Sequence, residues 1–238
     1  MGPGPVPGRG EQLRPIPHPS PNHGERRGGA LPELIVVHYT AMQSAGAALE
    51  RLCDPDFEVS AHYLVGRDGQ LWQLVDEARR AWHAGTGSWQ GRTDVNSRSI
   101  GIELDNTGRH PFPEPQMRVL EALVSEIRAR WGIPAEGVIG HSDMAPGRKV
   151  DPGPRFDWTR LERQGLARPP RAVLPGGAAE PGAFRALAAG AGYPATAGDE
   201  ALLEAVRLRL RPWATGPLEA ADVAALCGDL GGDRGGVA

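Results

Sequence analysis

Apolar residues fall along this chain in three distinct rhythms. "LIVVHYT" (34–40) is a short, continuous, β-branched run, the pattern of a buried strand. "SAHYLVGRDGQLWQLV" (60–75) carries two such runs around an "RDG" turn and predicts a hairpin. "SIGIEL" (99–104) alternates, with Ile100, Ile102 and Leu104 on one face and Gly101 and Glu103 on the other. "GVIGH" (137–141) reads as a short strand ending at His141. Between these, residues 113–132 keep a helical rhythm: Met117, Leu120, Leu123, Val124, Ile127 and Trp131 share one face. Pro115 suits the first turn of that helix, Arg128 and Arg130 the last, and Gly132 its cap. Three shorter helical stretches follow: "GAFRALAAGAGY", "DEALLEAVRLRL" and "PLEAADVAALCGDL". The order of elements predicts an α/β fold, a mixed central β-sheet flanked by α-helices, with a small C-terminal helical module.

Punctuation divides the chain further. Residues 1–30 are rich in Pro, Gly, Arg and Asn and predict an extended, poorly ordered arm that drapes over the domain. Residues 31–166 make the main domain. "ARPPRAVLPGG" opens a linker over 167–180, and 181–238 form the three-helix module. Of the 238 residues, 40% are hydrophobic and 23% charged, enough apolar surface for a packed core. The net charge of -3 gives no electrostatic reason to expect nucleic acid or an anionic membrane as partner. No run is long and apolar enough to span a bilayer. The opening "MGPGPVPGRG" has no apolar signal core, so the cytoplasm is the expected compartment; a chain trimmed of its leader would read the same, and the periplasm is then the alternative. The two cysteines, Cys53 and Cys227, read as isolated thiols rather than a bridge, and nothing beside Cys53 looks like an activating base. No feature sets an oligomeric state.

The densest chemistry lies in "HSDMAPGRKVDPGPRFDW" (141–158), where prolines and glycines break regular structure and predict a stiff, irregular loop. His38 and His141 each close a strand, and sheets present strand ends at one edge. Asp151 follows His141 by ten residues, across a loop stiffened by Pro146 and Pro152. Two neutral imidazoles and one carboxylate suit zinc and leave a fourth tetrahedral position open for water, as a catalytic site requires. Zinc lowers the pKa of such a water from 15.7 to about 7. Hydrolysis also needs a base and a cation for the oxyanion. Glu103 projects on the face lined by Gly101, where the missing side chain leaves room for substrate, and Lys149 is a fixed charge two residues from Asp151. His62 reads as a hydrogen-bonded structural residue. Trp82, His83, Trp89 and Asn96 fall in "AWHAGTGSWQGRTDVNSRS"; they cradle a sugar or peptide, or they form a small core under a long loop.

The motifs "VVHYT", "VSAHYLVGRDG", "AWHAG", "NSRSIGIEL" and "GHSDMAPGRKVDPGPRFDW" resemble, in order over roughly residues 30–165, the zinc-dependent N-acetylmuramoyl-L-alanine amidases of the AmpD and AmiD type, relatives of the animal peptidoglycan recognition proteins. The resemblance implies a mixed sheet flanked by helices and cleavage of the amide between the lactyl group of N-acetylmuramic acid and L-alanine, in peptidoglycan or soluble muropeptides. It implies zinc on His38, His141 and Asp151, a catalytic Glu103, a cation at Lys149, and a substrate cleft lined by His83 and Asn96, with Trp82 beside them. One position departs: where some relatives carry a catalytic Tyr before the hairpin His, this chain has Ala61. Those relatives tend to lack the Glu, which assigns the work to Glu103. The C-terminal helices resemble, more weakly, the peptidoglycan-binding module of the AmiD type; a helical cap that stabilises the main domain is the other reading. A non-catalytic recognition protein and a zinc hydrolase of another amide stand as alternatives for the whole chain.

Overall fold

The computed structural model describes residues 13–171 and 183–227, and most of their regular elements follow the apolar pattern. In chain order these are β1 Ile16–Pro17, β2 His23–Gly24, β3 Leu34–Tyr39, α1 Ala45–Cys53, β4 Tyr63–Val65, β5 Leu71–Gln73, β6 Arg80–Ala81 and α2 Val95–Arg98. There follow β7 Ser99–Leu104, α3 Glu114–Trp131, β8 Val138–Gly140, α4 His141–Met144, α5 Trp158–Arg163, α6 Phe184–Ala191, α7 Asp199–Leu210 and α8 Ala220–Cys227. Six strands form one sheet in the order β1-β5-β4-β7-β3-β8, and β2 pairs with β6 apart from it. β3 runs parallel to both β7 and β8, while β4 and β5 form the antiparallel hairpin. The sheet is therefore mixed.

Alternation decides which face each strand buries. Ile35, Val37, Ile100, Ile102 and Val138 point to the face covered by α3, where Leu120, Leu123, Val124 and Ile127 meet them. Leu34, Val36 and Ile139 point to the opposite face and pack with Met144 and the C-terminal helices. α3 stops where Gly132 takes a left-handed conformation (φ 68°) and returns its N–H to Arg128 O. The three C-terminal helices form within the stretches that predict them. Both cysteines are free. Among the described residues no helix is long and apolar enough to cross a membrane.

Two expectations need correction. From residue 13 onward the arm is extended over the domain as expected, but it is pinned rather than loose. β1 adds a strand to the sheet beside β5. Ser20 Oγ donates to Leu52 O, and the Asn22 amide bridges Asp54 O and Val59 O. Arg26 is buried and donates to Glu77 O, Ser97 O and Ser99 O. Composition registers only the Pro and Gly around these anchors. Residues 1–12 lie outside the described residues, as do 172–182 of the linker region and 228–238 of the module. Second, the 141–158 stretch is not irregular throughout: His141–Met144 makes one helical turn. Asp143 Oδ2 accepts from Gly140 N at 2.7 Å, capping the turn before Pro146 is reached.

Arg26 gives the fold a direct test. Arg26→Ala leaves several buried carbonyls without a donor, and the expected loss is roughly 3 kcal/mol of stability. A urea titration of the metal-free chain reads this as a lower midpoint with an unchanged slope.

Candidate metal centre

Topology brings the predicted ligands together. β3 lies between β7 and β8. His38 is opposite Glu103 in the β3–β7 register, and Val37 is opposite Gly140 in the β3–β8 register, one residue before His141. Glu103 and His141 therefore flank His38 at one sheet edge. Asp151 returns to that edge because Ser142 N donates to its carbonyl at 2.9 Å. His38 Nδ1 lies 2.9 Å from His141 Nδ1 and 2.9 Å from Asp151 Oδ2; His141 Nδ1 lies 3.0 Å from the same oxygen. All three side chains are buried.

The surrounding hydrogen bonds fix which ring nitrogens carry protons. His141 Nε2 lies 2.9 Å from Ala84 O, which only accepts, so Nε2 holds the proton and Nδ1 a lone pair. For His38 the assignment runs through a relay. Ser99 Oγ–H donates to Val95 O at 2.6 Å, so this hydroxyl accepts from His83 Nε2–H at 3.1 Å. His83 Nδ1 then accepts from His38 Nε2–H at 3.0 Å, leaving a lone pair on His38 Nδ1. Burial, and next the adjacent His141, push His38 down to about 4, so its ring is neutral at pH 7. Three electron-pair donors thus face one another within 3.0 Å, with no proton assigned between them. That arrangement is repulsive unless a cation sits among them, and it is the arrangement a divalent metal requires. The residues present fit a metal ion.

Beside this triangle, Glu103 is half-buried and its Oε2 has no hydrogen-bond partner among the described residues. Burial first, and then the Asp151 charge, lift its carboxyl to about 8, against the opposing pull of Lys149. Lys149 is exposed at the lip, yet its charge bears on both Glu103 and His38. A cleft of about 470 Å³ joins these groups and is lined also by Tyr39, Trp82, His83 and Arg148. A larger cavity, about 920 Å³, lies between α6, α7 and residues 212–218 and holds none of the three ligand candidates.

The remaining predicted residues have different placements. Trp82 lines the cleft. His83 fills the space above Gly101, where a Cβ would stand 2.4 Å from its ring, so the gap in the "SIGIEL" face houses an imidazole and not substrate. Asn96 is buried behind the cleft, and its Oδ1 accepts from the backbone N–H groups of His83 and Ala84. His62 is structural, as expected: its Nδ1 accepts from Gly101 N. Sequence reasoning missed Ser99, for which the alternating pattern carries no signal. It also gave no role to Arg148, whose guanidinium donates to Ala84 O beside His141 Nε2. Its place next to Lys149 was the available clue.

Comparison with known proteins adds the lineage. The family profile described as N-acetylmuramoyl-L-alanine amidase matches residues 28–154, a stretch that holds His38, Glu103, His141, Lys149 and Asp151. The chain belongs to the N-acetylmuramoyl-L-alanine amidase family. This amidase is 41% identical over 156 residues to N-acetylmuramoyl-L-alanine amidase AmiD of Escherichia coli, an alignment covering 59% of this chain and 55% of that protein. It is 39% identical over 160 residues to 1,6-anhydro-N-acetylmuramyl-L-alanine amidase AmpD of Enterobacter cloacae, covering 60% of this chain and 86% of that one. The matched stretch thus spans about half of AmiD and most of AmpD.

Among solved structures, the amidase superposes on E. coli AmiD in complex with the substrate anhydro-N-acetylmuramic acid-L-Ala-D-gamma-Glu-L-Lys. The TM-score is 0.73 at 32% identity, over 94% of this chain and 96% of that one. It also matches AmpDh3 of Pseudomonas aeruginosa with a TM-score of 0.71 at 29% identity, over 84% of this chain and 91% of that one. Coverage of 94% takes in the C-terminal helices, so the amidase shares them with AmiD as well as the sheet.

Proposed function

We propose that this amidase hydrolyses the amide between the lactyl group of N-acetylmuramic acid and L-alanine of the stem peptide, with zinc held by His38, His141 and Asp151. The observation that carries the reading is the triangle of three ligand atoms within 3.0 Å of one another, beside a carboxylate whose outer oxygen has no partner among the described residues. Two imidazoles and one carboxylate are a donor set zinc favours, and the cleft leaves an approach for substrate. Zinc bound there supplies Lewis acidity, acidifying water and polarising the scissile carbonyl.

The chain's own groups do the rest. Glu103, as carboxylate, takes a proton from the water that attacks the lactyl carbonyl carbon. It then passes that proton to the nitrogen of L-alanine as the C–N bond breaks, giving a free carboxylate and a free stem peptide. Lys149, at the lip, places its ammonium toward the oxygen that gains charge. Ser99 and His83 keep His38 in the tautomer that presents Nδ1 to the metal. Trp82 and Tyr39 wall the cleft beside the reacting bond.

The presence of Glu103 and Lys149 beside the triangle favours catalysis over recognition without cleavage. For the C-terminal helices, their packing on the sheet favours the stabilising cap over a wall-binding appendage. Muropeptide recycling would place the protein in the cytoplasm and wall turnover in the periplasm; fractionation of cells carrying the tagged chain separates the two.

The test is incubation of the purified chain with an anhydro-muropeptide, with and without a zinc chelator. Mass spectrometry is expected to find intact stem peptide released by the metal-loaded protein and none after chelation, with zinc restoring the activity. Tight binding without cleavage, or a cut inside the stem peptide, would overturn the proposal.

A further inference from the structure

The turn that carries His141 is held from two directions, and one of them is the C-terminal module. α4 packs on α7, with Met144 and Ala145 in the same apolar cluster as Leu187, Leu202 and Val206. Asp143, two residues after His141, is buried and ties the turn to its strand by accepting from Gly140 N. Its other oxygen faces the module: Tyr193 O–H points to Oδ1 at 3.4 Å, a long contact, with the ring braced edge-on against Trp89 at 5.4 Å.

The second support is Arg209 of α7. Its guanidinium lies over the Trp158 ring at 3.4 Å and donates to Arg168 O at 2.8 Å. Trp158 in turn closes on Gly140, where a Cβ would stand 3.3 Å from the indole and 2.8 Å from Pro152 Cδ. Gly140 precedes His141 and Pro152 follows Asp151. Arg209, Trp158, Gly140 and Pro152 are thus stacked behind two of the three ligands.

Arg209 is an expensive choice for a packing residue. It is buried, and Nε and Nη1 have no hydrogen-bond partner among the described residues. Its nearest carboxylate oxygen in an ion pair is Glu162 Oε1, at 3.9 Å. A leucine or methionine would fill similar volume without the desolvation cost, so stability alone does not account for a cation here. A flat cation that backs the Trp158 ring and also donates to Arg168 O accounts for a guanidinium here.

We propose that Arg209 and Tyr193 are positioning residues of the metal centre, holding the His141 turn and Asp151 through Asp143 and Trp158. The C-terminal module is then half of the scaffold of the site and not only an attachment. This rests on the metal reading of His38, His141 and Asp151.

The experiment measures zinc affinity of the full chain by competition with a chromophoric chelator, alongside the melting temperature of the metal-free protein. Arg209→Met keeps the apolar stem over Trp158 and removes the charge. Asp143→Asn keeps an acceptor for Gly140 N and removes the carboxylate that Tyr193 O–H faces. Each is expected to raise the zinc Kd by about 10-fold or more, in the range seen when groups behind metal ligands are removed. Tyr193→Phe should give a smaller rise in the same direction, as its contact is long. A merely structural role predicts the opposite pattern, a lower melting temperature with zinc Kd unchanged within about twofold, and that result overturns the proposal. If Arg209→Met fails to fold, Arg209→Gln decides for the Trp158 support and Asp143→Asn for the Tyr193 support, by the same criterion. Failure of the wild-type chain to bind zinc would instead overturn the metal reading, which separates the two.

Discussion

Asp151→Ala is expected to abolish stoichiometric zinc binding and to lower amidase turnover by about 10³-fold or more, several kcal/mol of transition-state stabilisation. Asp151 supplies the only negative charge of the triangle, and both imidazole Nδ1 atoms converge on its Oδ2 within 3.0 Å. Without it two neutral nitrogens remain, too few to hold the ion against water. Asp151→Asn should fail almost as completely, since the amide keeps the shape and loses the charge. Stability makes the test specific. The melting temperature of the metal-free variant checks that it still folds. What the variant loses is the rise in melting temperature that zinc gives the wild type, because only the folded state binds the ion. Metal analysis after dialysis, melting with and without zinc, and release of stem peptide read the three effects separately. A variant that retains one zinc per chain would show that the triangle is not the metal site.

How much of this was legible beforehand differs from one element to the next. β3 and the hairpin were readable from continuous apolar runs, β7 from its alternation and α3 from its 3.6-residue period, all written mainly in Val, Ile and Leu. The convergence of His38, Glu103 and His141 followed from two strand ends and one alternation, which the order β7-β3-β8 realises. Residues 13–30 were misread as loose because their anchors, Ser20, Asn22 and Arg26, act through isolated side chains bonded to distant carbonyls. Such contacts leave no periodic trace. His83 shows the same limit in part: the loop motif marks it as a cleft residue, which it is, but only the Val95–Ser99–His83–His38 relay shows that it also braces His38. The α4 turn was hidden by Pro146 and Gly147, although Asp143 three residues after Gly140 is an ordinary capping signal. Linker composition marked a boundary near residue 167, yet Leu166 and Ala167 belong to the main core and Arg168 O accepts from Arg209 across the boundary. Composition marks where regular elements stop, not where packing does.

Glu103→Gln is expected to lower kcat by about 10²–10⁴-fold, the usual worth of a positioned general base, with zinc still bound one per chain. The amide keeps the size of the side chain and its place opposite His38 on β7, but accepts no proton from the attacking water. Its pH profile carries the sign of the effect. Burial and Asp151 lift the Glu103 carboxyl to about 8, and Lys149 pulls it down. The carboxylate is the active form, so the rate rises with pH through the pKa of this group and falls as acid protonates it. A cation in the triangle lowers that pKa further, by the same attraction that Lys149 exerts. Lys149→Met should therefore move the acid limb of kcat/KM to higher pH, besides costing about 10²–10³-fold in kcat through the loss of oxyanion stabilisation. In Glu103→Gln the limb itself should disappear, leaving a low and nearly level rate through that range. A Gln variant that keeps the wild-type limb at a uniformly reduced rate would assign the titrating base to another group, and Glu103 would then be a spacer in the cleft wall.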